Sequence, residues 1–296
     1  MNMARLLRAI SENGGVVFYA IDSTEIVREA ERIHKTSAVT SAALGRLLTA
    51  ASLMSATLKR DSDSITLRMK GDGPAGLVLA VVNGSGEVKG YIQNPIVELP
   101  LRPDGKLDVG GAIGHNGTLS VVKDLGLKEP YVGQVPLISG EVAEDITSYY
   151  ATSEQIPTVC ALGVLVDRDL SILHAGGYLL QLLPGASEEE ITRLENNVQS
   201  MDSITHMLQQ GMQLEEIMER VLDGFAPQIL DEQQSFYRCD CTKERVERAL
   251  ISIGKLELEK MVKEDPIAQV SCQFCDKTYK IDLRQLLSNL EKKTEK

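Results

Sequence analysis

Four of the five cysteines stand in two tight pairs, Cys239-x-Cys241 and Cys272-x-x-Cys275, with thirty residues between them. Each pair supplies two thiolates from one short turn, and two such pairs complete a tetrahedral metal site. The C-terminal segment must therefore fold so that the two pairs meet. One zinc per chain is the expected cofactor, because four soft sulfur ligands suit a tetrahedral cation with no redox chemistry of its own. An iron–sulfur cluster is the second metal reading. A plain structural zinc ribbon is equally compatible with the spacing.

The C-x-C half points to redox chemistry. Cα atoms two residues apart on an extended chain lie ~6.6–7.2 Å from each other, at or beyond the ~4.4–6.8 Å that a disulfide spans. A bond there is strained and easily reduced, which suits a reversible sensor better than a permanent staple. Zinc keeps the sulfurs as thiolates, the form that oxidants attack, and Arg238, Lys243 and Arg245 stand close by in sequence to favour that form. Losing two ligands to a disulfide would expel the ion.

Nothing else in the chain assembles a catalytic set. Cys160, inside the apolar run Val159–Val166, reads as a small core residue. His34 ends a helix and His174 lies in a strand, so the histidines suggest no catalytic pair. Gly110–Gly114 is not followed by the Gly-Lys-Ser/Thr of a phosphate loop and reads as a glycine-rich turn or bulge. The chain is not expected to be an enzyme.

The hydrophobic patterning gives three regions. Residues 1–183 mix strands and helices: Val16–Ile21 as a strand, a helix capped by Ser23 or Thr24, and alternation at Ile65, Leu67 and Met69. Leu77–Val82 and Val88–Ile92 flank Asn83-Gly84-Ser85-Gly86, a hairpin signal. Ser139 is expected to cap a helix with Val142, Ile146 and Tyr149 on one face. Val159–Val166 and Leu170–Leu180 form another hairpin. Antiparallel hairpins interspersed with helices make the fold class α+β.

Residues 184–235 read as a helical linker. Ser187-Glu188-Glu189-Glu190 is a capping box, and Leu214, Ile217, Met218, Val221 and Leu222 form a second helical stripe. From Ser187 to Asp223 there are nine acids against two arginines, and four methionines. Such helices have an acidic outer face and a soft apolar inner face that can cover, or become, a promiscuous surface. Residues 236–296 form a small zinc-binding α+β module: two helices, a hairpin carrying Cys272 and Cys275, and a last helix capped by Asp282.

Charge and hydropathy narrow the partners. The net charge of -11 argues against a zinc-ribbon nucleic-acid-binding regulator, the main rival reading, since phosphate binding runs on clustered Lys and Arg. A C-x-x-C oxidoreductase is the other rival, but this motif opens a hairpin rather than a strand-to-helix turn. The apolar stretch Thr40–Leu58 contains Arg46 and many Ser and Thr residues, and reads as a buried or half-buried helix rather than a membrane span. No signal peptide is expected. A cytoplasmic location follows, where clustered cysteines bind metal or sense oxidants rather than staple a fold.

Two stretches carry a family resemblance. RCDCTKERVERALISIGKLELEKM (238–261) and VSCQFCDKTYKID (270–282) closely resemble the redox-switch domain of the bacterial thirty-three-kilodalton heat-shock chaperonins. The likeness continues through SAALGRLLTAASLM, KGDGPAG, KDLGLKEPYVGQVPLISGEVAEDITSYYATSEQIPT and AGGYLLQLLPGA. It covers nearly the whole chain, departing at AIGHNGTLSV, where a shorter glycine turn is expected. The resemblance implies an ATP-independent holdase, inactive when reduced and zinc-bound. Oxidation with unfolding would form the disulfides Cys239–Cys241 and Cys272–Cys275, release zinc, unfold the linker and expose a surface for unfolding proteins. The partners it implies are unfolding or misfolded client proteins, with a homodimer admitted for the oxidised form, and neither nucleic acid nor membrane.

Overall fold

The alternation at Ile65, Leu67 and Met69 places all three side chains on the buried face of a strand. In the computed structural model, which describes residues 3–294, that strand belongs to a large sheet in an α+β fold. Its strands are β1 (Ala4–Ile10), β2 (Val16–Asp22), β3 (Ser64–Lys70), β4 (Leu77–Asn83), β5 (Glu87–Ile92), β6 (Thr118–Asp124), β7 (Tyr131–Pro136), β8 (Thr158–Val166), β9 (Ile172–Leu182) and β10 (Gln228–Tyr237). They run in the order β7-β6-β3-β4-β5-β10-β1-β2-β9-β8. The β4–β5 and β8–β9 hairpins pair as the turn signals predict. β10 joins the two halves, antiparallel to β1 along its length and parallel to β5 only at Phe236 and Tyr237.

One face of the sheet is covered by α1 (Thr24–His34) and α2 (Ala38–Ser55). α2 is rich in small residues, and that lets it approach its neighbours closely: a Cβ on Gly45 would lie 2.7 Å from a Val27 methyl and 2.9 Å from a Val164 methyl. By length and composition α2 could cross a membrane, but 89% of it is buried inside the protein, the place of a core helix. Gly110–Gly114, read as a turn, instead overlaps a single helical turn, α3 (Val109–Ile113), capped by Asp108. The helix expected after Ser139 begins later, as α4 (Ala143–Tyr149). The Ser139 hydroxyl accepts from the Glu141 N–H at 3.2 Å, and the Asp145 carboxylate accepts from the Ile138 N–H at 2.7 Å. These bonds tie the loop before the helix, so Ser139 is no cap.

The opposite face of β1, β2 and β9 is covered by α5 (Glu188–Gln199), α6 (Ile204–Gln209) and α7 (Leu214–Val221). Leu194, Ile204, Met207, Ile217, Met218 and Val221 pack there on Leu7, Phe18, Ala20, Tyr178 and Leu180. Neighbouring residues of the same strands (Leu6, Tyr19, Ile21, Leu179) point into the first core. Strands buried on both faces read as continuous apolar runs, which is how β2 and β9 appear in the sequence. The capping box at α5 forms: Ser187 Oγ accepts from the Glu190 N–H and the Glu190 carboxylate accepts from the Ser187 N–H. The chain divides into two compact units, Met1–Arg238 and Cys239–Lys296, so α5–α7 and β10 are packed within the first.

The second unit contains α8 (Lys243–Ser252), α9 (Lys255–Glu264), the hairpin β11 (Ile267–Ser271) and β12 (Thr278–Asp282), and α10 (Leu283–Thr294). Asp282 accepts from the Arg284 and Gln285 N–H groups at the start of α10, as a cap should. Its core is small: Leu250, Leu258, Ile281, Leu283 and Leu286 are its buried apolar residues.

Candidate metal centre

Two local structures bring the cysteines forward. β11 and β12 pair from Ile267↔Asp282 to Ser271↔Thr278, and the turn between them carries Cys272 and Cys275. The Cys272 N–H donates to the Lys277 carbonyl at 3.0 Å and closes that turn. Cys239 and Cys241 lie on the irregular segment between β10 and α8. Thr242 starts α8, its hydroxyl accepting from the Arg245 N–H at 3.3 Å, so Cys241 sits one residue before the cap.

The four sulfurs converge, all within 4.8 Å of one another. Cys239 Sγ is 3.6 Å from Cys272 Sγ, and Cys241 Sγ is 3.4 Å from Cys275 Sγ. A tetrahedral zinc with bonds of ~2.3 Å holds its sulfurs ~3.8 Å apart. The donor set therefore fits a tetrahedral thiophilic ion, and the four cysteines could hold one. All four are half-buried.

A partner that the cysteine spacing does not reveal is Tyr279. Its hydroxyl donates to the Cys241 carbonyl at 2.9 Å and to Cys241 Sγ at 3.1 Å. The available signal was its place on β12, four residues after Cys275. Considered as thiols, the sulfurs are unequal. Burial raises Cys239, and burial with hydrogen bonds to its neighbours pushes Cys275 up to about 11. Burial also works to raise Cys241, but hydrogen bonds from Tyr279 and the neighbouring cysteines outweigh it and hold the thiol below its ordinary value. The same contact pushes the Tyr279 hydroxyl up to about 12.

The basic residues expected to favour thiolate are each engaged in an ion pair, Arg245 with the residue between Cys239 and Cys241. Arg238 pairs with Glu87 at 2.9 Å, Lys243 with Glu247 at 3.9 Å, and Arg245 with Asp240. Cys160 is away from the cluster, in β8 against the first core, where burial pushes its thiol up to about 12. His34 and His174 lie at the end of α1 and in β9, and neither joins a metal-binding group among the described residues.

The family model of the Hsp33 protein matches residues 4–282. The chain belongs to the Hsp33 family. It is 49% identical over 286 residues to a 33 kDa chaperonin of Clostridioides difficile, covering 97% of this chain and 98% of that one. A 33 kDa chaperonin of Clostridium perfringens is 48% identical over 292 residues, with 97% and 92% covered. The crystal structure of the Hsp33 homologue from Thermotoga maritima superposes with a TM-score of 0.90 at 36% identity, covering the whole of both chains. Membership of the Hsp33 family supports a chaperone function, and a chaperonin is not a class of enzyme. A four-cysteine cluster able to hold a metal is consistent with the zinc and redox character read from the sequence.

Proposed function

We propose that this protein is a redox-regulated, ATP-independent holdase of the cytoplasm that binds unfolding proteins under oxidative stress. Its working parts are a chaperone core (1–183), a linker (184–235) and a redox-switch module (236–296). The observation that carries the reading is the convergence of Cys239, Cys241, Cys272 and Cys275 within 4.8 Å in a chain of the Hsp33 family. Bound to these four sulfurs, zinc would hold them as thiolates and tie the module together.

Peroxide takes two electrons from each pair of thiolates and leaves as two waters after taking up two protons, while one S–S bond forms. Cys239 joins Cys241 and Cys272 joins Cys275, as the family resemblance implies, and short loops favour these bonds. Two close sulfur contacts, 3.6 Å and 3.4 Å, run across the pairs instead. Peptide mapping of the oxidised protein decides between them, and chiefly cross-pair bonds would reverse the assignment. With its thiolates consumed the module loses the metal and its order. The apolar sheet face under α5–α7, with Leu7, Phe18, Tyr178 and Leu180, is then the surface that clients reach.

The test measures zinc per chain before and after peroxide, alongside suppression of aggregation of a thermally unfolding protein without ATP. One zinc in the reduced form, its release on oxidation, and suppression chiefly by the oxidised form are expected. Equal suppression by both forms would remove the redox switch from this reading.

A further inference from the structure

Among the described residues the sheet ends at β8, whose outer side has no strand beside it. Open edges are ordinarily guarded by charge, proline or bulges, because unpaired N–H and C=O groups recruit other chains. The other edge strand, β7, is bracketed by Pro130 and Pro136. β8 has no such guard along its middle. From Ile156 to Val166 the chain carries no charged residue, and its bulge lies at the far end, between Leu165 and Val166.

The register shows which groups are open. The Leu182 N–H donates to the Pro157 carbonyl, so residues 159, 161, 163 and 165 turn their backbone toward β9. Thr158, Cys160 and Leu162 turn theirs outward, and every residue from Thr158 to Leu162 is half-exposed. Both faces of this stretch are apolar: Cys160 and Leu162 pack against the first core, Val159 and Ala161 against the second. Beside it a cavity of about 430 Å³ opens between the strands and α5, lined by Pro157, Val159, Leu180, Leu182, Ile191 and Val198. Glu195 also lines it, and Glu188, Glu189 and Glu190 form the first turn of the same helix.

We propose that the open edge of β8 is a binding site for an extended apolar segment of an unfolding polypeptide with basic residues at its ends. While α5 is in place the segment adds as a strand beside Thr158–Leu162 and seats one apolar side chain in the cavity under that helix; where oxidation loosens α5, the strand edge with Val159, Leu180 and Leu182 remains to hold it. Backbone bonding supplies affinity without a fixed sequence, which suits a chaperone. The apolar faces select apolar side chains, and the α5 carboxylates select basic flanks. A second copy of this chain fits less well, since its own β8 is followed by Asp167-Arg168-Asp169, a flank with a net negative charge. The inference rests on the holdase reading for the identity of its occupant.

The probe is a labelled peptide alternating valine, leucine and phenylalanine between lysine pairs, added to the full-length protein in its reduced zinc-bound and its oxidised forms. Hydrogen exchange should slow at the amides of Thr158, Cys160 and Leu162. Methylating alternate backbone nitrogens along one edge of the peptide, or replacing its lysines with glutamates, should weaken binding about tenfold or more. Cys160→Pro, which removes one outward N–H from the edge, should weaken it too. If that variant does not fold, the methylated peptide makes the same measurement on the unaltered chain. Unchanged exchange at β8, equal binding of the methylated peptide, or dimers that Cys160→Pro abolishes would overturn the proposal. Aggregation suppression without β8 protection would sink this inference and leave the holdase reading standing. Protection at β8 without aggregation suppression in either form would do the reverse.

Discussion

At the scale of single residues, the four clustered cysteines and Cys160 are chemically alike and structurally opposite. Serine at any one of Cys239, Cys241, Cys272 or Cys275 removes a sulfur from a set gathered within 4.8 Å, so metal binding should weaken sharply. Cys160→Ser should leave one zinc per chain, as measured by metal analysis after dialysis. Stoichiometric zinc in a variant lacking both Cys272 and Cys275 would contradict the site. Tyr279 orients Cys241 from behind, and losing such a partner typically lowers metal affinity ~10–100-fold. Tyr279→Phe should show that loss in a chelator competition while still binding one zinc at saturation. His34 gives a pH signature. Burial holds it below the ordinary histidine value, while its Nε2–H donates to the Gly90 carbonyl at 2.9 Å. The unfolded chain then takes up the proton first, so stability should fall as pH drops below ~6.5 toward the folded value. Denaturant melts of the wild type and His34→Gln across that window test the sign. A wild-type stability that rises on acidification there, with the His34→Gln variant flat, would contradict it.

At the scale of elements, legibility followed pattern strength. The C-x-C and C-x-x-C pairs, the β4–β5 hairpin and the α5 capping box were readable because each is a local signal with a fixed spacing. β10 was not, since Ile229 and Leu230 are exposed and only Ser235 and Tyr237 are buried. It is a strand because β1 pairs with it, aided by ion pairs such as Arg8–Asp231 at 2.6 Å, and no periodicity records that. α6, at six residues, is too short to show a helical stripe. β6 and β7 have no tight turn between them to announce a hairpin. Val142, with φ of 55° and ψ of -57°, takes a positive-φ conformation rare for a β-branched residue, so the delayed start of α4 could not be read from its sequence. The α5 cap makes a prediction at this scale. Ser187→Ala should cost about 1 kcal/mol and loosen α5 before the rest of the first unit. Hydrogen exchange that speeds up at β2 as much as at α5 would show that the helix does not open on its own.

At the scale of the whole molecule, the question is how four sulfurs near the C-terminus reach a surface on the first unit. The second unit spans under about 60 residues, and a core of that size rarely supplies more than ~3–5 kcal/mol. A four-thiolate zinc contributes ~10–16 kcal/mol of apparent binding free energy in small peptides, so losing it should unfold this unit. Cys239 follows the last residue of β10 by two positions, and β10 meets β5 only at Phe236 and Tyr237. Disorder beginning at Cys239 therefore starts at the weakest seam of the sheet. The chain between β9 and β10 is α5–α7, helices of 12, 6 and 8 residues. Isolated helices shorter than ~12–15 residues are marginal in water, so these hold only while their Ile, Leu and Met side chains stay on β1, β2 and β9. Fraying of β10 should shift that balance and uncover Leu7, Phe18, Tyr178 and Leu180. Oxidation with zinc release should thus raise hydrogen exchange across Glu188–Val221 while β3 and β4, far along the sheet, stay protected. If the amides of α5–α7 remain as protected after zinc release as before, the switch does not act through this face, even in a protein that proves to be a chaperone.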